Sequence, residues 1–332
     1  RLCGGIMIKL TIVVPVYNGA EHITECLQSI YEQTESSLEL LILDDGSKDN
    51  SAEVIRHFIE ENETKLQVSF RQQENQGVAI TRNTGIQLAQ GEYITFIDQD
   101  DRIAPDYCAN YLREAADSDI VIGGYERVTY SGKILKKVSL GKNVWEKFIV
   151  VAPWAHLYRT DFLKDNNINF LSTGIGEDVY FNMLAYAATD KIKTIGDTGY
   201  QWMFNENSVS NSKQNSINEK VDPVYLLDCI VKDVSDQSFL QDELTEYYFV
   251  RYICWYMLFS VRGSRRSDVS KMYDRLKKWL LQNYPAYKKN RYLLWHSPKG
   301  EILSTGMIVH AFYMADRLGV MKRLLLLIAR KG

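Results

Sequence analysis

Two apolar segments near the start of the chain constrain its fold most. Leu10–Val16 and residues 38–43 are almost uninterrupted apolar runs, the pattern of strands buried on both faces. Between them, residues 21–31 carry apolar side chains at helical spacing. A buried strand, a helix and a second buried strand indicate a right-handed parallel crossover. The sequence therefore predicts an α/β domain with a mixed, mainly parallel sheet flanked by helices.

Polar clusters follow the predicted strands. The second strand runs into an acidic turn at 44–51, and a strand predicted at 92–97 ends in Asp98, Asp100 and Asp101. The carboxyl ends of parallel strands meet at the sheet edge where open α/β folds bind ligands. Crowded carboxylates there favour Mg²⁺ or Mn²⁺, which bind through one or two carboxylates plus substrate phosphates. We expect a metal-bound diphosphate, with a solvated turn or helix N-cap as the alternative.

Several short motifs occur together in a fixed order. They are Pro15-Val-Tyr17-Asn18, Asp44-Asp45-Gly46-Ser47, Asn75-Gln-Gly77, Thr81-Arg82-Asn83-x-Gly85, Asp98-Gln-Asp100-Asp101 and Gly176-Glu177-Asp178. In this order the chain, over about residues 7–210, resembles a family 2 glycosyltransferase with the GT-A fold. The resemblance implies an inverting enzyme that moves a sugar from a nucleotide diphosphate donor to an acceptor hydroxyl. No Gly-x-Gly-x-x-Gly motif or P-loop competes for the nucleotide.

The resemblance assigns donor-binding roles residue by residue. The Pro15 motif places Tyr17 against the base, Asp45 would accept the uracil N–H, and Arg82 would lie near the uracil or the phosphates. Asp100 would hold the ribose hydroxyls. A carboxylate only accepts hydrogen bonds, so it pairs with an imide N–H, and the implied donor is a UDP-sugar. Ordinary structural roles remain the alternative, a turn aromatic for Tyr17 and a helix-surface cation for Arg82.

Metal and catalytic roles are carried over in the same way. Asp101 would ligate Mn²⁺ or Mg²⁺ bridging the two phosphates. Inversion at an anomeric carbon needs a carboxylate that takes the acceptor's proton, and Asp178 is the expected base. Glu177 is the second candidate, or an acceptor-binding group. Acids at a helix N-terminus are favourable whatever their function, which is the structural alternative.

The family resemblance also predicts a sugar and acceptor pocket. Trp154 could provide an apolar platform for a pyranose ring, and His156 lies two residues further along. Both could equally be core residues. One position departs from the family pattern, because Met203 stands where relatives often carry an Arg; Lys213 or the basic tail could then supply the phosphate contact. The Gln-x-x-Arg-Trp signature of processive synthases is absent, which favours a single addition.

The remaining third of the chain has a helical pattern. Residues 211–218 are rich in Ser, Asn, Gln and Lys and indicate a linker, after which helices are predicted at 224–231, 239–261, 269–282 and 302–330. We therefore expect a transferase domain at 7–215 and a helical domain at 216–332. The aromatic residues of the second helix would be buried within this domain or against a second subunit of a homo-oligomer. A groove that binds the acceptor sugar is the alternative.

Charge is unevenly distributed along the chain. From residue 263 onward 15 Lys and Arg stand against four acids, so the net charge of -3 divides into +11 for this tail and -14 for the rest. The last predicted helix combines basic residues with a dense apolar run, which favours a peripheral membrane contact over nucleic acid. A last helix docked in the core, with only its basic end in solvent, is the alternative.

The N-terminal residues and the cysteines limit the expected cellular location and function. Residues 1–6 precede Met7 and are interpreted as a cloning remnant, no signal peptide is apparent, and the five scattered cysteines predict neither a zinc site nor a disulfide framework. We expect a cytoplasmic, non-processive, metal-dependent transferase of the kind that builds bacterial capsule or adhesin glycans. Its donor would be a UDP-hexose, glucose or galactose ahead of an N-acetylhexosamine, and its acceptor a carbohydrate or glycopeptide. The alternatives are a catalytically silent nucleotide- or glycan-binding scaffold and a nucleotidyltransferase.

Overall fold

The computed structural model describes residues 8–62, 64, 66–173, 176–204, 216–217 and 222–330. The expected remnant at 1–6, most of the expected linker at 211–218, and Lys213 lie outside these residues. The chain divides into two compact units. The first unit takes in residues 1–142, 150–173 and 177–204, and the second takes in 143–149, 174–176 and 205–332.

The first unit is built on a seven-stranded sheet with the strand order β10-β6-β9-β4-β1-β2-β3. The strands are β1 Leu10–Val16, β2 Leu38–Asp44, β3 Gln67–Gln72, β4 Tyr93–Phe96, β6 Ile120–Ile122, β9 His156–Arg159 and β10 Ile192–Thr194. Strands β1 to β4 are mutually parallel where they pair, and β9 runs antiparallel to β4 and β6. Every residue of β1 and β2 is buried, as uninterrupted apolar runs require when both sheet faces are covered. The predicted α/β class and mainly parallel sheet are confirmed.

Helices join these strands. They are α1 Ile23–Tyr31, α2 Ser51–Glu61, α3 Val78–Leu88, α4 Tyr107–Glu114, α5 Thr160–Asp165 and α6 Glu177–Ala187. Helix α1 buries Ile23, Leu27 and Ile30, the residues that recur at helical spacing. Helix α6 begins at Glu177, so Glu177 and Asp178 both lie in its first turn.

A second, four-stranded sheet with the order β5-β11-β7-β8 belongs to the same unit. Its strands are β5 Arg102–Ile103, β11 Tyr200–Met203, β7 Tyr125–Val128 and β8 Ile134–Val138. Strands β7 and β8 form an antiparallel hairpin. Strand β5 immediately follows the aspartate turn and pairs with β11, which brings Tyr200 close to that turn.

The second unit is helical over its described residues. Its helices are α7 Pro223–Asp233, α8 Gln237–Gln241, α9 Glu243–Ser260, α10 Arg266–Asn283, α11 Arg291–Leu294, α12 Leu303–Arg317 and α13 Met321–Ile328, with short 3₁₀ turns at Val144–Phe148, Val261–Gly263 and Tyr287–Lys289. Two helices were predicted to be continuous, and the structure interrupts each of them. The helix predicted at 239–261 is interrupted at Asp242, whose backbone is extended. The helix predicted at 302–330 breaks at Gly319, which has φ +72° and ends α12 in the left-handed conformation that glycine tolerates best.

Residues 143–149 pack within the helical unit although they lie far from it in sequence. The Trp145 ring is buried and meets Tyr247 of α9 edge-on, with the ring centroids 4.9 Å apart. Phe148 packs on Tyr248 at 5.0 Å. The aromatic side chains of α9 are therefore mostly core, as predicted, although Trp255 remains half-exposed.

The described cysteines Cys26, Cys108, Cys229 and Cys254 are free thiols. None of the described helices has the length and apolar character needed to cross a bilayer.

Candidate active site

The polar clusters meet at one edge of the large sheet because β1 lies between β2 and β4. Val16, the last residue of β1, lies opposite Asp44 of β2, and Val13 lies opposite Phe96 at the end of β4. The three strands are parallel, so the turns that follow them converge. Asp45 begins the turn after β2, and its N–H donates to Val16 O at 2.7 Å.

Arg82, on α3, links two of these clusters. The Nη1 group donates to Asp178 Oδ1 and the Nη2 group donates to Asp98 Oδ1, each at 2.8 Å. Glu177 Oε1 lies 3.7 Å from Nη1, and the guanidinium lies over the Phe170 ring at 5.3 Å. The side chain is buried, and its Nε has no hydrogen-bond partner within the described part of the chain. Arg82 therefore balances three carboxylates, and its expected place near the uracil or the phosphates stays a prediction.

Asp178 lies in the first turn of α6, next to Glu177. Burial and the neighbouring Glu177 carboxylate raise the pKa of Asp178 to about 8, and the Arg82 guanidinium acts in the opposite direction. About 28% of the Asp178 side chain is exposed, compared with 16% of Glu177. Asp178 is thus a carboxylate with a pKa suited to accepting a proton near neutral pH, and an acceptor can reach it.

Asp45 is buried, and the protein already supplies three donors to its carboxylate. Oδ1 accepts from Gln73 Nε2 and from the Gln76 N–H, both at 2.9 Å. Oδ2 accepts from the Gly77 N–H at 2.8 Å. Each carboxylate oxygen offers two lone pairs, so Oδ2 keeps one acceptor position. Gly77 has φ +89° and open space around its α-carbon, which leaves this end of α3 uncovered.

The three aspartates after β4 differ in their surroundings. Asp101 is buried, and its carboxylate accepts from the Tyr200 hydroxyl at 2.6 Å and from the Met203 N–H at 2.8 Å. Burial, then the Asp100 and Asp98 carboxylates, raise the pKa of Asp101 well above its usual range. Asp100 is half-buried, and its pKa is raised by burial and by Asp98.

The crowded carboxylates of this turn favour the binding of a divalent cation. A cation would offset the repulsion that raises both pKa values, so the donor set of hard oxygens fits Mg²⁺ or Mn²⁺. Asp100 and Asp101 would hold it. Within the described ranges, no group of three His, Cys, Asp or Glu side chains forms a ready-made metal cage. Phosphate oxygens would therefore have to complete the coordination.

The residues after β1 are held by the side chain between the aspartates. Gln99 Oε1 accepts from the Tyr17 N–H at 2.9 Å, and Gln99 Nε2 donates to Tyr17 O at 3.1 Å. The Tyr17 side chain is 41% exposed at this edge, as a stacking platform requires. Pro15 lies buried within β1, so its place is structural and two residues short of the exposed turn. A β-carbon at Gly19 would fall 2.2 Å from Gln99 Oε1, so a larger residue there would displace the Gln99 amide that holds Tyr17.

Two aromatic rings that the sequence analysis did not single out meet here, one from the hairpin turn between β7 and β8 and one from the residue before α1. Tyr130 stacks on His22, with ring centroids 5.0 Å apart and planes 17° from parallel. Burial and the Asp100 and Asp101 carboxylates raise the pKa of Tyr130 to about 12. These two rings therefore lie beside the acidic turn. No sequence motif pointed to this pair.

Trp154 and His156 are core residues rather than open pocket walls. Trp154 is 8% exposed and stacks face to face on Tyr200, with ring centroids 4.6 Å apart. The His156 ring is fully buried, with Nδ1 2.9 Å from Trp154 O and Nε2 2.7 Å from the Tyr186 hydroxyl. Burial lowers the pKa of His156 to about 4, which keeps the ring neutral. With both ring nitrogens engaged in the core, His156 has no free nitrogen to offer a substrate.

Between these two residues, Ala155 has φ +54°, an unusual value for an L-residue that carries a β-carbon. Its carbonyl accepts from the Gly123 N–H at 2.9 Å and from the Tyr111 hydroxyl at 3.1 Å, and these bonds hold the strained turn. The turn aims Trp154 at Tyr200, whose hydroxyl bonds Asp101. Trp154 therefore supports the acidic turn indirectly, by packing against the tyrosine that hydrogen-bonds Asp101.

Met203 occupies the position where relatives often carry an Arg, and it contacts Asp101 through its backbone. The Met203 side chain is buried, and only its N–H reaches the Asp101 carboxylate. Trp202, its neighbour in β11, is half-buried, and the Arg127 guanidinium lies 4.5 Å from the centroid of its ring. A cation is thus present near this strand, supplied by β7 rather than by β11.

Comparisons with known proteins agree with this geometry. Residues 11–175 match the family described as Glycosyl transferase family 2. The chain is 30% identical over 223 residues to the glycosyltransferase GlyA of Streptococcus pneumoniae, a match that covers 61% of this chain and 31% of that protein. It is 29% identical over 205 residues to the poly(ribitol-phosphate) beta-glucosyltransferase of Bacillus spizizenii, covering 59% of this chain and 32% of that one. The chain thus spans about a third of the length of these two relatives.

The crystal structure of TarS residues 1–349 from S. aureus in complex with UDP-GlcNAc superimposes with a TM-score of 0.69 at 22% identity. This likeness covers 94% of the present chain and 92% of that one, and it shows the shared fold. The chain belongs to glycosyl transferase family 2 and has the GT-A fold, with a helical C-terminal region.

Proposed function

We propose that this protein is an inverting, metal-dependent glycosyltransferase that uses a UDP-sugar. The observation that carries the proposal is the Arg82 bridge, which joins Asp98 of the acidic turn to Asp178 at the start of α6. A single buried guanidinium thereby joins the turn that would bind the diphosphate to the carboxylate that would accept the proton. An anomeric carbon attached to the diphosphate would lie near both.

Donor recognition would use the turns after β1 and β2. The free acceptor position on Asp45 Oδ2 suits the imide N–H of uracil, and the exposed Tyr17 ring would stack on the base. Asp100 would bind the ribose hydroxyls as well as the cation. A cytosine ring presents no N–H at the equivalent ring nitrogen, so Asp45 favours a uridine nucleotide.

Asp100 and Asp101 would hold Mn²⁺ or Mg²⁺ against the diphosphate. When bound, the cation stabilises the negative charge on the departing UDP. Asp101 is held in place by Tyr200 and Met203, whereas Asp100 has the more accessible carboxylate.

Asp178 would act as the general base. It accepts the proton of the acceptor hydroxyl as that oxygen attacks the anomeric carbon from the face opposite the diphosphate. The new C–O bond forms as the bond to the phosphate oxygen breaks, so the configuration inverts. Arg82 holds Asp178 in position, and Glu177 would contact the acceptor. The family generally uses such single displacements, and the raised pKa of Asp178 supports this role.

The donor sugar is proposed as glucose or galactose, with an N-acetylhexosamine as the alternative. Named relatives include a beta-glucosyltransferase, and the structural neighbour TarS binds UDP-GlcNAc. The acceptor is proposed as a carbohydrate or glycopeptide hydroxyl that receives a single sugar. Trp154 would contribute to the sugar side of the pocket only through Tyr200 and Trp202, on which it packs.

A matched pair of variants tests the base. Asp178→Asn preserves an oxygen acceptor for Arg82 but removes the basic group, so transfer should fall by about 10²- to 10⁴-fold. Affinity for UDP, measured by titration calorimetry, should stay within about twofold of the parent value, because Asp178 does not contact the nucleotide. Glu177→Gln is the comparison: because Glu177 would contact the acceptor while Asp178 stays intact, it should raise KM for the acceptor more than it lowers kcat. Near-normal transfer by Asp178→Asn would move the base to Glu177.

A further inference from the structure

Helix α12 of the helical unit leaves one apolar stripe uncovered. Leu303, Met307, Met314 and Leu318 recur at intervals of four or seven residues and are all exposed, Leu318 by 71%. Such spacing places them on the same side of the helix. The opposite side of α12 is core, where Val309, Phe312 and Tyr313 are buried. The helix is therefore packed in the unit by one face while its other face is apolar and open.

Helix α13 repeats this arrangement. Met321 and Leu325 are buried, whereas Leu324, Leu327 and Ile328 are exposed, Leu327 by 73%. The last helix therefore docks in the core by one side, as the alternative expected, but its other side exposes apolar residues as well as its basic end. Scattered exposed leucines are ordinary on protein surfaces, but two consecutive helices with such stripes form a patch that needs an occupant. We call these exposed residues of α12 and α13 the apolar stripes.

The charges on these helices indicate the occupant. Between residues 303 and 330 the sole acid is Asp316, and it is buried and bonded to the Tyr273 and Tyr287 hydroxyls and to Lys277. The bases there are Arg317, Lys322, Arg323 and Arg330, of which Lys322 pairs with Asp274 at 2.6 Å. The solvent-facing charge contributed by α12 and α13 is therefore entirely positive.

We propose that the apolar stripes of α12 and α13 bind the surface of a bilayer that contains anionic lipids. Exposed leucine and methionine side chains would enter the boundary between headgroups and acyl chains, while Arg317, Arg323 and Arg330 pair with lipid phosphates. Two copies of this chain meeting through the same face would bring like charges together, which disfavours a dimer as the occupant. The helices would lie on the membrane, because neither is long enough to span it.

This proposal does not depend on the enzymatic one, and it can be tested on the full chain. Flotation with vesicles of phosphatidylcholine and phosphatidylglycerol should carry the protein upward at low salt, and vesicles of phosphatidylcholine alone should carry at least about fivefold less, because each base near an anionic surface contributes to binding. Bound protein should fall as salt is raised.

Two variants separate the apolar and the charged contributions. The double substitution Leu318→Glu with Leu327→Glu should lower partitioning about tenfold or more, since two inserted leucines are lost. Arg323→Glu with Arg330→Glu should remove most of the preference for phosphatidylglycerol. Tyr225→Glu, a 55% exposed aromatic residue on α7 outside the apolar stripes, is the control and should bind like the parent. Circular dichroism and thermal unfolding would establish that each variant is folded.

Three outcomes would overturn the proposal. The first is no flotation with either vesicle. The second is flotation that the Leu318 and Leu327 substitutions leave unchanged. The third is a concentration-dependent dimer in sedimentation velocity that those same substitutions dissolve, which would assign the apolar stripes to a second copy.

Discussion

At the scale of single residues, Arg82 decides the electrostatics of the candidate site. Its side chain could be predicted to matter from the Thr-Arg-Asn motif, but its partners could not, because Asp98 and Asp178 lie 16 and 96 residues away in the chain. Asp45 and Asp100 follow β2 and β4 at the sheet edge, and Asp178 is linked to that edge through Arg82, while their roles stay predictions. The sequence left His156 open between core and pocket, because a histidine in a strand carries no signal that separates the two, and the structure buries it.

The pH dependence of transfer should report this arrangement. The pKa of Asp178 is about 8, so the fraction in the basic form, and with it kcat/KM, should rise with pH and level off above that value. Arg82→Gln removes a cation that lowers this pKa, so the rise should move to higher pH. Arg82→Lys keeps the charge and should leave the midpoint close to that of the parent, with a lower plateau because one of two hydrogen bonds is lost.

A pH profile of kcat/KM for the three proteins checks this. If the Arg82→Gln midpoint coincided with that of the parent, Arg82 would not control the ionisation of Asp178.

Asp101 gives a second prediction at this scale. The pKa of Asp101 is raised in the folded state, so ionising this carboxyl lowers the free energy of unfolding. The loss grows as pH rises from the pKa in the unfolded chain to the pKa in the folded one. Asp101→Asn should therefore unfold at the same temperature as the parent or higher at pH 7. Mn²⁺ should raise the unfolding temperature of the parent in the presence of UDP but leave that of Asp101→Asn unchanged, and transfer should be lost.

Differential scanning calorimetry with and without Mn²⁺ measures the effect. Asp100→Asn is the matched comparison, and full Mn²⁺ stabilisation of Asp101→Asn would contradict a metal role for Asp101 and leave Asp100 as the protein ligand.

At the scale of elements, strands were predicted closely and helix continuity was not. The runs Leu10–Val16 and 38–43 match β1 and β2 to within a residue because burial on both faces requires continuous apolar sequence. The break at Gly319 was missed because helical periodicity resumes immediately afterwards, and one glycine is often tolerated within a helix. The place of residues 143–149 in the helical unit was not foreseen, since tertiary packing alone assigns it.

Trp145 should be a principal contact of that segment. Replacing its buried ring with alanine leaves a large cavity beside Tyr247, so Trp145→Ala should lower the free energy of unfolding of the helical unit by about 3–5 kcal/mol. Val144 is 68% exposed, and Val144→Ala should change it by less than about 0.5 kcal/mol.

Urea unfolding followed by far-ultraviolet circular dichroism compares the two variants with the parent. Equal midpoints for Trp145→Ala and Val144→Ala would mean that the segment is not part of the helical core.

At the scale of the whole molecule, the account joins a nucleotide-sugar edge on the α/β unit with a separate helical unit that carries most of the positive charge. The fold class and family followed from the order of motifs, because each motif lies at the end of a strand or the start of a helix that the fold requires. The donor sugar and the acceptor did not follow, since they depend on a few pocket contacts whose positions only tertiary structure sets.

The most direct test of the central claim is UDP release from a panel of UDP-glucose, UDP-galactose and their N-acetyl forms, with Mn²⁺ and then with EDTA. Slow transfer to water lets the panel run without an acceptor. We predict release from one sugar, its loss in EDTA, and its loss in Asp178→Asn. No release from any donor, with UDP still bound in a calorimetric titration and with glycan acceptors supplied, would contradict the account and leave a nucleotide-binding scaffold.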